Sequence, residues 1–526
     1  MNTQKYIDAY NYVEKNSLLT KVYNLKKGLY NIETKVFHKI LVPYIYSTKI
    51  HNVESSIRII LNSKLLNNNF NKKILSYLHK SRTIIYPLPI DHINYLNSNE
   101  FKVSKLQSSL LFFFITIRSF YLGLYSNIIL LKNVLFQTNG CIPNKKFVTF
   151  CDLTENSIPF NNDNNVFNII NWYISNNDIK NIEEIRHNIE SAKKIKIKNT
   201  NINPDIHFSR YFITKKNKIK FILWSFLVFF YFLFCILTFK FKNVLLYNEA
   251  CLSKIYSLLD KNTLPVELYF SISSFWNKPL WSFVAEDKSI KVILYSYSSS
   301  FLGFKTKEGY IDQEYYYDKV RWKHIYLWSN NYYDFIKKRV PNDVKVYLVP
   351  PIYFSDSNYI VQPKKNNYIG VFDVTPMDEY YNLVSIPDSS YRNYQNAISF
   401  LNDVYDCAIS NKMTIIWKRK RNFGHIHNKE YINFCNDYEK RSNVIIADPQ
   451  ASAFKVIQEC KICISLPFTS TALIAKSLNI KSIYYDPSGF LFHDDRAAQG
   501  IILIKSKKNL ENYFTIFNKK HTYHED

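Results

Sequence analysis

The sequence predicts an α/β protein: two Rossmann-like lobes with an additional N-terminal mixed region containing hydrophobic helices. Three observations carry that reading. From Leu264 onward, short apolar runs alternate with helical stretches, the pattern of βαβ units building a parallel sheet. A polar stretch with Pro363, from Asp356 to Asn367, divides that series in two. At 526 residues the chain also exceeds what one ordinary core organises.

Composition narrows the function classes. The chain is 47% hydrophobic and 17% aromatic with only 9 glycines, which excludes a low-complexity polymer. A formal charge of +25 favours a polyanionic partner: nucleic acid, an anionic membrane surface or a phosphorylated substrate. The abundant Asn, Lys, Ile and Tyr match an AT-rich coding bias, which would inflate the lysine count. The eight cysteines show no secreted-domain spacing, and Met1 to Ser17 is polar and charged. No secretion signal is expected, and reduced thiols in a cytoplasmic protein are. Cys460-Lys-Ile-Cys463 joins a helix end to a strand and lacks a second pair, which makes it a weak metal or redox motif.

Taken in order, residues 1–205 read as a mixed region of unclear role, mostly helix with some strand, as in Thr83-Ile-Ile-Tyr-Pro-Leu-Pro. Leu106 to Leu131 is strongly apolar but interrupted by Arg118 and Gly123. An arginine at mid-membrane costs about 2.5–3.5 kcal/mol, so a buried or interfacial helix pair is the better reading. Lys146 to Asp152 reads as a strand and Asn177 to Lys198 as a helix that turns basic. Residues 206–245 form a hydrophobic, Lys-flanked, membrane-associating segment. Phe221 to Phe239 contains no charge and is long enough to cross a bilayer. Lys215, Lys216, Lys218 and Lys220 precede it, and Lys240 and Lys242 follow. Positive charge on both sides suits a helix lying in an anionic interface; a true span and a buried core helix are the alternatives.

Residues 246–360 are expected to form the first α/β lobe, with strands at Val266 to Ser271, Lys291 to Tyr297, His324 to Ser329 and Lys345 to Pro350. Helices fall at Pro279 to Ala285 and Tyr332 to Arg339. Residues 366–526 form the second lobe, with strands at Tyr368 to Asp373, Met413 to Trp417, Asn443 to Ala447, Ile462 to Ser465 and Lys481 to Tyr485. Helices lie between them, near Tyr391 to Ser410, Lys429 to Lys440, Ala453 to Cys460 and Ser470 to Leu478, and Leu510 to Phe517 closes the lobe. No Gly-x-Gly-x-x-Gly is present, so a dinucleotide fingerprint is not the ligand signal.

The signal is instead a pair of strand ends. Thr469, Ser470 and Thr471 stand where a helix begins after the Ile462 to Ser465 strand. A helix start there offers unpaired amides, a positive dipole end and added hydroxyl donors, which together make a seat for phosphate. The plain alternative is a capped helix. Lys418, Arg419, Lys420 and Arg421 stand at the end of the Met413 to Trp417 strand and point to the same crevice. They would neutralise a diphosphate, or else form a solvated basic turn. His425 and His427 follow and are treated as incidental. Asp486 ends the next strand and either holds a sugar hydroxyl or starts a turn with Pro487 and Gly489. Glu286 ends the Pro279 helix and is the candidate general base toward an acceptor hydroxyl.

On these residues the chain resembles the polysaccharide biosynthesis PFTS-motif proteins, a family of bacterial surface-carbohydrate biosynthesis. The motif stands as Pro467-Phe468-Thr469-Ser470, and Tyr484-Tyr-Asp-Pro-Ser-Gly489 extends it. Asp448-Pro449, Lys418 to Arg421, Leu327-Trp328, Lys278 to Glu286 and Gly500 to Ile504 support it over roughly residues 260–510. The charged Arg419 and the Phe-rich stretch depart from the pattern. The resemblance implies a GT-B-like glycosyltransferase, with an acceptor-side first lobe and a donor-binding second lobe. It implies a nucleotide-sugar donor as substrate with no cofactor; no metal is expected, since no Asp-x-Asp is present and Lys418 to Arg421 can replace a cation. It also implies a glycan or lipid-linked acceptor in capsule or O-antigen assembly, at the cytoplasmic face of the inner membrane. That anionic surface is the expected further partner, and nucleic acid is not. A phosphotransferase using a CDP-linked polyol or sugar would occupy the same crevice. A basic nucleic-acid-binding protein is the reading of another class.

Overall fold

The computed structural model describes most of the chain between residues 9 and 522. The longer stretches outside the described residues are 33–49, 137–145, 154–168, 205–213, 352–366 and 378–390, so nearly all of the expected linker lies outside them.

Both lobes are doubly wound parallel sheets, as the alternation predicts. The first is eight-stranded, in the order β10-β9-β6-β5-β1-β2-β4-β3. Its strands are β1 Phe147–Cys151, β2 Glu184–His187, β3 Ile195–Ile197, β4 Thr200–Pro204, β5 Glu267–Ser271, β6 Lys291–Tyr295, β9 His324–Leu327 and β10 Lys345–Leu348. β7 Lys305–Thr306 and β8 Gly309–Tyr310 form a separate ribbon. Only β3, at the edge, pairs antiparallel within the large sheet. β1 is the central strand: every residue of Phe147–Cys151 is buried, as a strand covered on both faces requires.

Two expectations change here. The first lobe begins at Phe147 and not at residue 246, because β1 pairs in register with β5 as well as with β2. The helices Lys215–Leu237, Phe241–Val244 and Tyr247–Leu258 fill the crossover from β4 to β5 and hide the continuity of the sheet. Asn177 to Lys198 is not a helix. It carries β2 and β3, where sheet pairing overrides a helix-like composition of Glu, Lys and Ile. Arg186 on β2 is held by Glu184 (3.0 Å) and lies over the Phe147 ring (3.7 Å).

The second lobe has six strands in the order β13-β12-β11-β14-β15-β16. They are β11 Tyr368–Phe372, β12 Thr414–Lys418, β13 Val444–Ala447, β14 Ile462–Ser465, β15 Lys481–Asp486 and β16 Ile502–Lys505. In order of appearance this is 3-2-1-4-5-6, the doubly wound arrangement whose winding reverses between the first and fourth strands. One face is built on Ile369, Val371, Trp417 and Ile464, the other on Tyr368, Phe372, Ile416 and Cys463. Gly370 is required on β11 because a Cβ there would lie 3.0 Å from Cys460 Sγ and 3.2 Å from Cys463 Sγ. Both thiols are buried, as is each of the seven described free cysteines.

The lobes meet through loops at the carboxyl ends of their strands. Asp495, in the loop after β15, accepts from the Lys305 amide (2.8 Å) and the Tyr310 hydroxyl (3.1 Å). Arg496 Nε donates to the Leu302 carbonyl (2.9 Å), and its guanidinium stacks on Tyr310 (3.8 Å). Ser329, just past β9, bonds Gln499.

The two apolar helices, Lys105–Leu135 and Lys215–Leu237, lie side by side. Phe113 meets Phe241, Phe120 meets Phe229 and Asn127 Nδ2 donates to the Ser225 carbonyl, so they run antiparallel. Tyr247, at the start of the next long helix, packs into their seam against Phe120 and Phe232. Gly123 makes that seam possible, since a Cβ there would sit 2.5 Å from the Tyr247 ring. Gly123→Leu is therefore expected to destabilise the fold by about 1–3 kcal/mol through overpacking, measured by thermal or chemical denaturation of the full chain.

Candidate functional site

The reversal of winding sets the geometry. Lys418 and Ser465 both stand opposite Phe372, one on each neighbouring strand. Their Cα atoms are therefore two strand spacings apart, about 10 Å. Paired residues of a parallel sheet share a face, so Lys418, Phe372 and Ser465 sit together where Ser470–Ser477 packs.

The Thr469 to Thr471 cluster is at the predicted place. Thr469 is the N-cap of Ser470–Ser477, yet its side chain makes no cap bond. Its hydroxyl bonds Thr471 Oγ1 instead (2.9 Å), and Thr471 Oγ1 bonds Ser465 Oγ (2.9 Å). Three hydroxyls thus form a chain across the mouth of β14. Tyr484 fixes this corner by donating to the Thr469 carbonyl (2.7 Å) and packing edge-on against Phe468. The peptide bond between Pro467 and Phe468 is cis. The capped-helix alternative predicts a Thr469 side chain bonded to a first-turn amide, and that bond is not made.

The basic cluster divides. Lys418 is buried, and burial lowers its pKa while Asp373 and Asp448 hold it up. Arg419 does not join it. Its guanidinium pairs with Glu439 (2.9 Å) and lies over the Phe423 ring (4.5 Å). Successive residues at a strand end point to opposite sides, which sends Arg419 away from the crevice. Lys420 is exposed on the turn. Arg421 and His425 lie outside the described residues. His427 accepts from the Gly424 amide (2.8 Å) and holds the turn.

Two assigned carboxylates are occupied elsewhere. Asp486 is fully buried and uses one oxygen on the Ser488 amide and hydroxyl (2.9 and 2.6 Å), the other on the Leu491 amide (2.9 Å). It turns the chain. Glu286 forms an enclosed ion pair with Lys278 (2.6 Å), whose ammonium also donates to the Arg321 carbonyl (2.9 Å) and lies over the Phe283 ring. That pair sits at the end of Leu280–Asp287 that leads into the amino end of β6, away from the carboxyl edge where crevices open.

Sequence reasoning missed a buried carboxylate beside the site, on the opposite face of the sheet. Asp373, one residue past β11, is buried and accepts from the Tyr431 hydroxyl. Burial raises its pKa to about 7, against the pull of the Trp417 indole, the Lys420 amide and the cations Arg419 and Lys418. Thr375, on the same carboxyl edge, has a buried hydroxyl with no partner among the described residues. A carboxylate directly after the first strand of a lobe was the available signal. In the first lobe the equivalent place is Asp152, which follows β1 with φ of 60° and a carboxyl raised by desolvation.

Asp373 has a defined pH signature. Its folded pKa exceeds the ordinary 3.8, so between pH about 4 and 7 the folded chain keeps a proton that the unfolded chain has lost. Stability from this group falls as pH rises through that window, with a slope of at most about 1.4 kcal/mol per pH unit. Asp373→Asn is expected to remove that slope in a series of denaturation midpoints against pH. Glu286→Gln is expected to cost about 3 kcal/mol by leaving the Lys278 ammonium buried and unpaired, and Glu286→Leu combined with Lys278→Met to restore much of it. A double-mutant cycle of unfolding free energies measures both.

Among solved structures, the spinosyn forosaminyltransferase SpnP is 10% identical, covering 70% of this chain and 90% of its own, with a TM-score of 0.35. The UDP-GlcNAc 2-epimerase of Methanocaldococcus jannaschii, in complex with UDP-GlcNAc and UDP, is 10% identical over 51% of this chain and 74% of its own, with a TM-score of 0.30. Acinetobacter baumannii MurG is 9% identical over 52% and 70%, with a TM-score of 0.26. The architecture stands on the strand orders themselves. No curated protein matches the chain. The family model described as polysaccharide biosynthesis PFTS motif protein matches residues 226–514, more than half of the chain and both sides of the crevice. The chain belongs to the polysaccharide biosynthesis PFTS motif protein family.

Proposed function

We propose that the protein is a GT-B-type glycosyltransferase of surface-polysaccharide assembly, moving a sugar from a nucleotide-sugar donor to a glycan or lipid-linked acceptor at a membrane. The observation that carries this reading is the hydroxyl chain Ser465–Thr471–Thr469 at a helix start, two strands from Lys418, where the winding reverses. Phosphate oxygens have donors there of every suitable kind: first-turn amides, hydroxyls and an ammonium. The Thr375 hydroxyl on the same edge, buried with no partner among the described residues, supports a polar ligand. The family's tie to polysaccharide synthesis and the facing carboxyl edges of two lobes support transfer between two bound substrates.

In this reading the leaving diphosphate is stabilised by Thr471, Lys418 and Lys420 and needs no metal ion. Fixed positive groups aimed at developing charge are commonly the largest catalytic contribution. Glu286 is replaced as acceptor-side base by Asp152, at the equivalent reversal point of the first lobe.

A thermal-shift screen of nucleotide sugars on the full chain tests the proposal. At least one donor is expected to raise the melting temperature, and Thr471→Val and Lys418→Met each to weaken its binding about tenfold. Unchanged affinity in both variants would sink the site. Release of a nucleoside monophosphate with phosphorylated acceptor would establish the phosphotransferase reading in its place.

A further inference from the structure

The paired helices Lys105–Leu135 and Lys215–Leu237 present a surface that the sugar-transfer reading does not use. Each turns a buried stripe toward the body around Tyr247: Phe112, Thr116 and Gly123 on the first, Phe221, Val228 and Phe232 on the second. Only 22% and 28% of their most apolar windows is buried. At about 100° per residue, the exposed apolar positions of Lys215–Leu237 fall in a single arc opposite its buried stripe. Leu223, Leu227 and Phe230 lie in it, and each is more than half exposed. Phe114, Leu122 and Tyr125 do the same on Lys105–Leu135. Because both buried stripes converge on Tyr247, both apolar faces point away from the protein. A contiguous apolar face of this kind marks a docking surface.

The charges on this surface have one sign. Neither helix contains an acidic residue; the first carries Lys105, Arg118 and Lys132, the second four lysines between Lys215 and Lys220. A second copy of the chain docked two-fold would set these cations against themselves. An anionic phospholipid surface matches both the apolar face and the cations.

Connectivity decides how the helices meet it. Lys215–Leu237 lies in the crossover between β4 and β5, which belong to one hydrogen-bonded sheet. A single crossing of a bilayer would put those strands on opposite sides. Lys105–Leu135 is bound by the same logic. Lys64, before it, donates to the Leu245 carbonyl (2.7 Å), and β1, after it, pairs with β5. Both ends of each helix belong to one side.

We infer that the two helices lie flat in the headgroup region of an anionic phospholipid bilayer, with apolar faces toward the acyl chains and lysines and Arg118 at the phosphates. Arg118 is exposed on the apolar face itself, in the four-residue row of Phe114 and Leu122, so in an in-plane helix its guanidinium reaches the phosphates by extending along its own stem, where a span would strand it in hydrocarbon. The inference deepens the membrane acceptor of the preceding section, but it rests on the helices alone.

Flotation of the full chain with vesicles needs no sugar nucleotide, so it fails or succeeds separately from the donor screen. The protein is expected to float with phosphatidylcholine vesicles containing phosphatidylglycerol, and far less with phosphatidylcholine alone. Phe226→Asp combined with Phe230→Asp is expected to abolish flotation with an unchanged melting temperature. Lys216→Gln, Lys218→Gln and Lys220→Gln together should lower partitioning about tenfold or more. Alkaline carbonate is expected to release the bound protein. The inference is overturned if wild type fails to float, if the Asp variant floats like wild type, or if carbonate leaves the protein in the membrane. It is equally overturned if light scattering shows a wild-type dimer that the Asp variant dissociates, which would make a second copy the occupant.

Discussion

Where the winding of the second sheet reverses, between β11 and β14, the crossovers leave to opposite faces and the backbone opens a gap at the carboxyl edge. Every group assigned to ligand binding borders that gap. Phe372 forms its base, Lys418 and Ser465 its two sides, and the Thr469 to Thr471 helix start its rim. None of these residue types is unusual alone. Their convergence follows from strand order, which brings segments about fifty residues apart in the chain to one place. The clasp of Asp495 and Arg496 then brings the carboxyl-end loops of the first lobe against those of the second.

How much of this was legible in the sequence depends on what each signal measures. The strands of the second lobe are apolar, β-branched runs such as Ile415-Ile-Trp417 and Val444-Ile-Ile446, and they stand out because both faces are covered. The first half of the first lobe was hidden by the three helices inserted between β4 and β5, which break the alternation that a reader counts. The hydroxyl cluster at the Ser470–Ser477 helix start was legible because helix starts and hydroxyls are local features. The carboxylates were not. Asp486 and Glu286 stand at element ends just as a ligand-binding carboxylate would, and only three-dimensional contacts show that a turn and a buried lysine have taken them. Arg419 failed for a simpler reason: one residue along a strand end is half a turn around it.

Apolar length is the weakest of the sequence signals. The Phe-rich stretch satisfies the length and composition of a span, of an interfacial helix and of a core helix alike. Its place in the β4–β5 crossover and its exposed arc are features of the fold that hydropathy does not carry. The same holds for Gly123, which reads as an interruption of an apolar run and is in fact the hollow that receives Tyr247.

The clasp has a consequence for how the protein responds to its surroundings. Asp495 is enclosed, with its oxygens bonded to Lys305, Tyr310 and Ala497, and dissolved ions reach such groups poorly. Lys215, Lys216 and Lys220, at the start of Lys215–Leu237, are exposed, and dissolved ions screen such groups far more effectively. Ionic strength therefore acts on two electrostatic systems of opposite character. Raising it weakens any attraction of those lysines for anions long before it weakens the clasp between the lobes.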